Sequence, residues 1–536
     1  MKRLIILAMA MLLGIASSAA SKDGKLDEQA LKTMKKATEY MMDVVGYNGG
    51  FVWAYLPDLS RQWGEMESKR TMAWVQSGTP QVGNILLDAY HATGDEYYYE
   101  CAEKVAASLI WGQLDCGGWN YCYDYAGEES LVDWYNTVGR SGWRLEEFQH
   151  YYGNATFDDC STTDAAKYLL RIYAEKFDPK YRPALDKAID FVLESQYPIG
   201  GWPQRYPLKF DHPFRGNKDY SSYITLNDEV IPECTDFLLQ CYQVLGIQNL
   251  KGAVLRAMYC SILLQQPEPY AGWADQYTVD DLKPAAARSY EPLALSIATT
   301  QRMINLMIGY YKLTGDGRFL AGIPAAIRFL EGQKLPKSEV EKTGRQWSES
   351  MDRFYTPLFF NPYTEKPQYV HRVGSNVCNG HYYVDQDITN NIIHYGSFVR
   401  DVNLKAIKDR YEEVKNTPVE EFTKDSPLLS SEPHPLARYY AVNVDAVSDP
   451  GTIAEQALQT VNSLTKEGYW LSPIRNTSNP YKACPDTEPS DETAYCSTNV
   501  GDEYDTSCYE TDEMGITTRD YINRMGTLIR YHLNVK

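Results

Sequence analysis

A repeated unit constrains this chain more than any other feature. Leu86-Leu87-Asp88-Ala89-Tyr90, then Thr93-Gly94-Asp95, leads through a second apolar-periodic stretch to Gly117-Gly118-Trp119. Leu169-Leu170-Arg171-Ile172-Tyr173 leads in the same way to Gly200-Gly201-Trp202, and an earlier stretch ends at Gly49-Gly50-Phe51. Gly309-Tyr310-Tyr311, then Thr314-Gly315-Asp316, precedes a further apolar run at 325–330. Between these marks apolar residues recur every three to four positions, as in Leu31, Met34, Ala37 and Met41, which predicts helices. Each unit reads as helix, short Gly-Asp turn, helix, and a glycine-rich loop bearing an aromatic residue. Such units bury their faces only against neighbours, and the unequal spacing favours a closed ring over a regular solenoid. The expected fold is therefore dominated by α-helix, an α/α toroid of helical hairpins whose loops at one end build a cleft. Residues 21–150 and 151–335 supply the hairpins. Residues 336–433, with Pro357, Pro362 and Pro367, read as a smaller irregular or β-containing insertion, and 434–536 as C-terminal helices with an acidic loop near 474–515.

Composition narrows the function. Lys2 and Arg3, an apolar run from Leu4 to Ile15 and small residues Ala16 to Ser21 have the order of a secretory signal peptide, expected over residues 1–20. The expected location is thus secreted or periplasmic, and no later stretch is apolar enough to span a membrane. A net charge of −19 argues against nucleic acid or anionic lipid as partner. An anionic substrate would need a locally positive or metal-bearing cleft. The 43 tyrosines and 11 tryptophans suit both core packing and sugar rings. The 11 cysteines show no CxxC spacing, so a zinc site is not expected, and an odd number leaves at least one thiol unpaired. Cys484, Cys496 and Cys508 share the acidic loop, where a disulfide would order it.

Three clusters carry the chemistry. Phe157-Asp158-Asp159-Cys160-Ser161-Thr162-Thr163 sits at a helix start, with more carboxylates than a cap requires. Gly200-Gly201-Trp202-Pro203-Gln204-Arg205 is followed by Ile224-Thr225-Leu226-Asn227-Asp228, and Ala287-Arg288-Ser289-Tyr290-Glu291 precedes another helix. Two loops thus offer oxygen ligands of the kind a hard divalent cation takes, and a third offers an arginine. Read alone, Asp158 and Asp228 fit helix caps as well, Arg288 fits an ion pair with Glu291, and Trp202 fits packing.

These four blocks, in this order between about 155 and 295, resemble the pectate lyases of polysaccharide lyase family 10. The resemblance implies β-elimination on polygalacturonate, the acidic backbone of pectin, with Ca2+ as cofactor. It places calcium-binding aspartates at Asp158 and Asp228, the base at Arg288 and a substrate arginine at Arg372; Asp159 is expected as a further metal ligand beside Asp158, and Trp202 and Arg205 as further substrate contacts. Calcium would acidify the C5 proton of galacturonate and let an acidic protein hold an acidic polymer. An arginine base, with an ordinary pKa of roughly 12.5–13.8, implies activity rising towards alkaline pH. The chain departs from the family pattern at Asp159, where asparagine is usual, and at Arg372-Val373-Gly374, which lacks the expected aspartate. Arg353-Phe354-Tyr355 fits a family stretch in residues but not in spacing, and 211–218 form an inserted loop that brings Arg215 and Lys218 towards the cleft. Two other readings stay open: a toroidal glycoside hydrolase using Asp158 or Asp159 with Asp228 as its carboxylate pair, and a non-catalytic glycan-binding protein on a lyase scaffold. The oligomeric state cannot be read from the sequence.

Overall fold

The computed structural model describes residues 24–141, 145–209, 213, 218–373, 381–389, 399–430, 434–444, 449–474 and 513–535. The expected signal peptide, Arg215, Cys378 and the loop cysteines Cys484, Cys496 and Cys508 lie outside these residues. The seven cysteines within them are all unpaired, and no helix among them is long and apolar enough to cross a membrane.

Helices dominate. In chain order they are α1 (residues 24–40, closing in a π-turn at Met41–Val45), α2 (Thr79–Thr93), α3 (Glu96–Trp111), α4 (Glu128–Asn136) and α5 (Leu145–Phe148). Then come α6 (Ser161–Lys176), α7 (Arg182–Glu194), α8 (Val230–Leu245), α9 (Leu250–Leu263) and α10 (Ile297–Thr314). After α11 (Arg318–Ala321), α12 (Ile323–Gly332) and α13 (Lys337–Lys342) follow α14 (Leu404–Asn416), α15 (Val419–Thr423), α16 (Pro450–Asn462) and α17 (Thr518–Val535). Helices α17, α2, α6 and α8 pack side by side, α10 packs on α14, and α16, α3, α7, α9 and α12 back them from outside. The first helix joins the last through Thr38 Oγ1 and Tyr521 Oη at 2.8 Å. The architecture is of the α/α-toroid class, as the repeat implied.

The Gly-Gly-aromatic loops explain why the hairpins stack. Gly117 (φ 99°) and Gly200 (φ 110°) lie in the left-handed region open to glycine. A β-carbon on either would fall 2.2 Å from a carbonyl oxygen of the next outer helix, Lys187 on α7 or Arg256 on α9. The following tryptophans are fully buried, and Trp119 Nε1 and Trp202 Nε1 donate to the carbonyls of Leu109 and Val192 at 2.8 and 2.7 Å. Two further copies, unremarked in the sequence, are Trp273, which donates to Ser261 O, and Trp470, which donates to Thr460 O.

Short antiparallel pairs then stitch each long loop to the next. Ala54–Tyr55 pairs with Ile516 and Thr517, Met72–Trp74 with Cys122–Asp124, and Ala155–Thr156 with Arg205–Tyr206. Ile224–Thr225 pairs with Gln276–Tyr277, and Leu295–Ser296 with Phe359 and Phe360. The loops at one end of the helices thereby form a continuous rim. Beyond α12, Arg353–Pro357 pairs with Val399–Asn403, and the chain between them carries Phe359–Asn361, Lys366–Val373 and His381–Asp385, which join Leu295–Ser296 in a four-stranded sheet.

Candidate active site

Two neighbouring loops end in the same way. After the strand Ala155–Thr156, Phe157 N donates to Gln204 O at 2.9 Å, and Asp159 (φ 47°) and Cys160 (φ 63°) turn left-handed before α6 begins. After Ile224–Thr225, Leu226 N donates to Asp275 O at 2.8 Å, and Asp228 (φ 53°) and Glu229 (φ 57°) turn left-handed before α8. A non-glycine residue in this region costs about 1–3 kcal/mol, and such residues cluster at functional sites. The capping positions of the two helices fall to Cys160 and Glu229, not to the aspartates. Instead one carboxylate oxygen from each of Asp158, Asp159 and Asp228 lies within 4.8 Å of the others. The positive ends of α6 and α8 favour this concentration of negative charge.

Arg288 enters from the loop before α10, where a turn closes through Glu291 N to Arg288 O at 2.8 Å. Its side chain is 3% exposed and meets four carboxylates. Nη2 donates to Asp158 Oδ2 at 2.7 Å and Asp228 Oδ2 at 3.3 Å, Nη1 donates to Glu291 Oε1 at 2.8 Å, and Nε donates to Glu147. The Tyr220 ring lies 5.6 Å from the guanidinium carbon. Burial by itself would lower the Arg288 pKa, but Asp158 and Glu291 outweigh it and drive it well above the ordinary value. Asp228 is pushed well above the usual carboxylate range by burial and by Asp158, against the pull of Arg288. Arg288 is therefore firmly cationic in this arrangement, and its charge holds the two aspartates together.

Several of these partners carry no motif in the sequence. Glu146 and Glu147 come from α5, more than 140 residues before Arg288. Glu147 also accepts from Tyr290 Oη at 3.1 Å, and Glu146 accepts from Ser289 N at 3.0 Å and from its hydroxyl at 3.0 Å. Burial, with Glu147 beside it, raises Glu146 to about 8. Tyr121 donates its hydroxyl to Asp158, and Gln76 donates to Asp159. Gln204, fully buried, donates to Asp228 Oδ2 at 3.3 Å. The Gln-Arg pair after Gly-Gly-Trp-Pro was legible as a site element, but the acids of α5 were hidden by their distance in sequence.

Other expectations need correction. Trp202 is not a sugar platform: its ring is wholly enclosed and its one polar group is spent on Val192 O, because the aromatic residue of each loop closes a hairpin. Arg205 is 4% exposed and reaches Tyr121 Oη at 3.4 Å, so it supports the wall of the site from behind rather than presenting its charge to the cleft. The backbone of Arg372 pairs with Tyr382 in the four-stranded sheet, while its side chain lies outside the described residues. Arg353 is held by Asp401 at 2.9 Å, and its strand pairs with Val399–Asn403, with the sheet inserted between the two strands.

The donors of the triad are all oxygens. Beside them, the buried side-chain oxygens of Gln76 and Gln204 accept no hydrogen bond among the described residues. Such a set fits a hard divalent cation and not a thiophilic one. A groove of about 610 Å³ opens next to Glu291, lined also by Arg302, Tyr355, Phe359 and Arg400.

Residues 133–343 match the family model described as pectic acid lyase. A comparison with curated proteins finds no match. Among solved structures, the family 10 polysaccharide lyase from Cellvibrio cellulosa is 18% identical over 62% of this chain and 97% of its own, with a TM-score of 0.36. A mutant of that enzyme in complex with trigalacturonic acid is 19% identical over 62% and 98%, at 0.37. A family 76 glycoside hydrolase from a bovine Bacteroides thetaiotaomicron strain is 10% identical over 95% and 77%, at 0.40. Likenesses at these scores carry no statement about activity. The family match, by contrast, spans every carboxylate of the cluster and Arg288, with Gln76 and Tyr121 lying before it, and over that stretch the chain carries the pattern of the pectic acid lyases.

Proposed function

We propose that the protein is a secreted pectate lyase that cuts polygalacturonate by β-elimination with calcium. The observation that carries the reading is the meeting of Arg288 with Asp158 and Asp228, inside the segment that matches the lyase family. The family match itself supports a polysaccharide-degrading lyase.

The substrate bears a C5 proton α to a carboxylate. Elimination moves that proton to a base, forms the C4–C5 double bond and expels the 4-oxygen. Calcium, held by Asp158, Asp159 and Asp228, would neutralise the substrate carboxylate and withdraw charge from the enolate-like transition state. Arg288 would take the proton. It can do so only after Nη2 leaves the two aspartates, because four carboxylates favour its charged form. Glu147 and Glu291 keep hold of Nε and Nη1 and so fix where the freed nitrogen points. Tyr121, Gln76 and Gln204 hold the three aspartates in register for the cation. Activity therefore rises towards alkaline pH.

Purified mature protein, mixed with polygalacturonate at alkaline pH, is expected to release 4,5-unsaturated product, read by ultraviolet absorbance, in the presence of calcium but not of chelator. Reducing ends without that product would instead indicate hydrolysis by the aspartate pair. The raised pKa of Asp228 suits a general acid, but Asp158 is fully buried and bound by Tyr121 and Arg288, which leaves it badly placed as a nucleophile or base.

A further inference from the structure

The groove beside Glu291 runs from the start of α10 to the paired strands Arg353–Pro357 and Val399–Asn403. It is lined by three arginines. Arg302 is paired with Glu229 and donates to Thr299 Oγ1 at 2.8 Å, and Arg345 lies over the Tyr355 ring, 5.8 Å from its centre. Arg400 is exposed, and its guanidinium meets no carboxylate among the described residues. The acids of the lining are already engaged: Glu291 by Arg288, Asp401 by Arg353 at 2.9 Å, and Asp275 by the Thr299 hydroxyl. The charge left to act on a ligand is thus positive, and Arg400 is the most exposed of the three arginines that bear it. Tyr355 and Phe359, half-buried in the same lining, add ring surface of the kind that packs on sugars.

We propose that Arg400 is the carboxylate anchor of a uronate subsite in this groove, binding a sugar of the polymer away from the bond cleaved at Arg288. This rests on the lyase reading. A guanidinium fork pairs with a carboxylate through two parallel hydrogen bonds, which a lysine cannot reproduce. Exposure makes the pair sensitive to salt. The anchor belongs to the strand that closes the inserted sheet, so it positions the polymer without touching the reacting atoms.

The test compares wild type with Arg400→Ala and Arg400→Lys on polygalacturonate at low and high salt, and measures trigalacturonate binding by the inactive Arg288→Ala protein with and without Arg400→Ala. Arg400→Ala is expected to raise KM about tenfold at low salt, with kcat changed much less, and to weaken trigalacturonate binding by a similar factor. Arg400→Lys should recover part of the loss, and the difference should shrink at high salt. A merely structural role would lower kcat and melting temperature together and leave the salt dependence unchanged, which would overturn the proposal. Unchanged KM and unchanged trigalacturonate affinity, in a protein whose wild type cuts polygalacturonate, would refute the subsite and leave the lyase reading standing. Neither unsaturated product from wild type nor trigalacturonate binding would overturn both.

Discussion

At the scale of single residues, Arg288 is bound by four acids at once, so its removal does two things. Arg288→Ala should abolish elimination and also leave Asp158, Asp228, Glu147 and Glu291 facing one another with no cation. A buried ion pair that loses one partner costs about 3–5 kcal/mol, so thermal unfolding of Arg288→Ala without calcium should show a clear loss. Arg288→Lys should fold closer to wild type yet stay at least about a hundredfold slower in unsaturated-product release, since a point charge cannot reach four acceptors. Glu146 gives a pH prediction. Its carboxyl sits at about 8 in the folded chain against an ordinary 4.5, so between those values the folded state holds a proton that the unfolded state has released. Stability therefore falls as pH rises from about 4.5 to 8 and levels off above. Urea unfolding from pH 5 to 9 should show that slope, and Glu146→Gln should flatten it by an amount on the order of a few kcal/mol. Asp158, Asp228 and Arg288 could be read from the sequence because each lies in a short block of distinctive residues. Glu146 and Glu147 could not, because nothing near them in the chain records that α5 folds over Arg288.

At the scale of elements, the loops matter more than the helices they join. The first glycine of each Gly-Gly-aromatic loop touches the backbone of the next outer helix, and the tryptophan after it plugs the hairpin behind. Gly200→Ala meets both a left-handed backbone and a carbonyl at 2.2 Å. It should destabilise by at least about 2 kcal/mol, visible as a lower melting temperature. Trp202→Phe should act in the same currency, by about 1–2 kcal/mol for the lost indole hydrogen bond and ring volume, with KM for polygalacturonate unmoved. A rise in KM without loss of stability would restore Trp202 to the cleft. The repeat was legible in the sequence, but the direction of its aromatic residues was not. A Gly-Gly-Trp loop looks the same whether the ring faces sugar or core, and only the stacking of the next hairpin decides it.

At the scale of the whole molecule, the strand pairs between successive loops turn separate turns into one rim, and the three aspartates arrive together because their loops are joined through Gln204, Arg205 and Gln276. A cation that binds only this assembled rim should stabilise the folded chain, by about 2.7 kcal/mol at a hundredfold excess over its Kd. Thermal unfolding with calcium and with chelator should differ accordingly, and Asp228→Asn should erase the difference. The toroid was legible from spacing, whereas the pairing of Arg353–Pro357 with Val399–Asn403 was not, since the sheet between them pulls the two strands apart in the chain. That sheet leaves and rejoins the ring at Pro357 and Val399, which face each other across one antiparallel rung. An insertion with adjacent ends can be lengthened or exchanged beyond its first strand, which pairs with Leu295–Ser296 at the start of α10, without displacing the hairpins that hold Arg288. The inserted sheet and its closing strand line the groove, while the chemistry stays on the hairpin loops. The molecule is therefore built so that evolution can retune which polymer it grips while the cutting machinery is inherited whole.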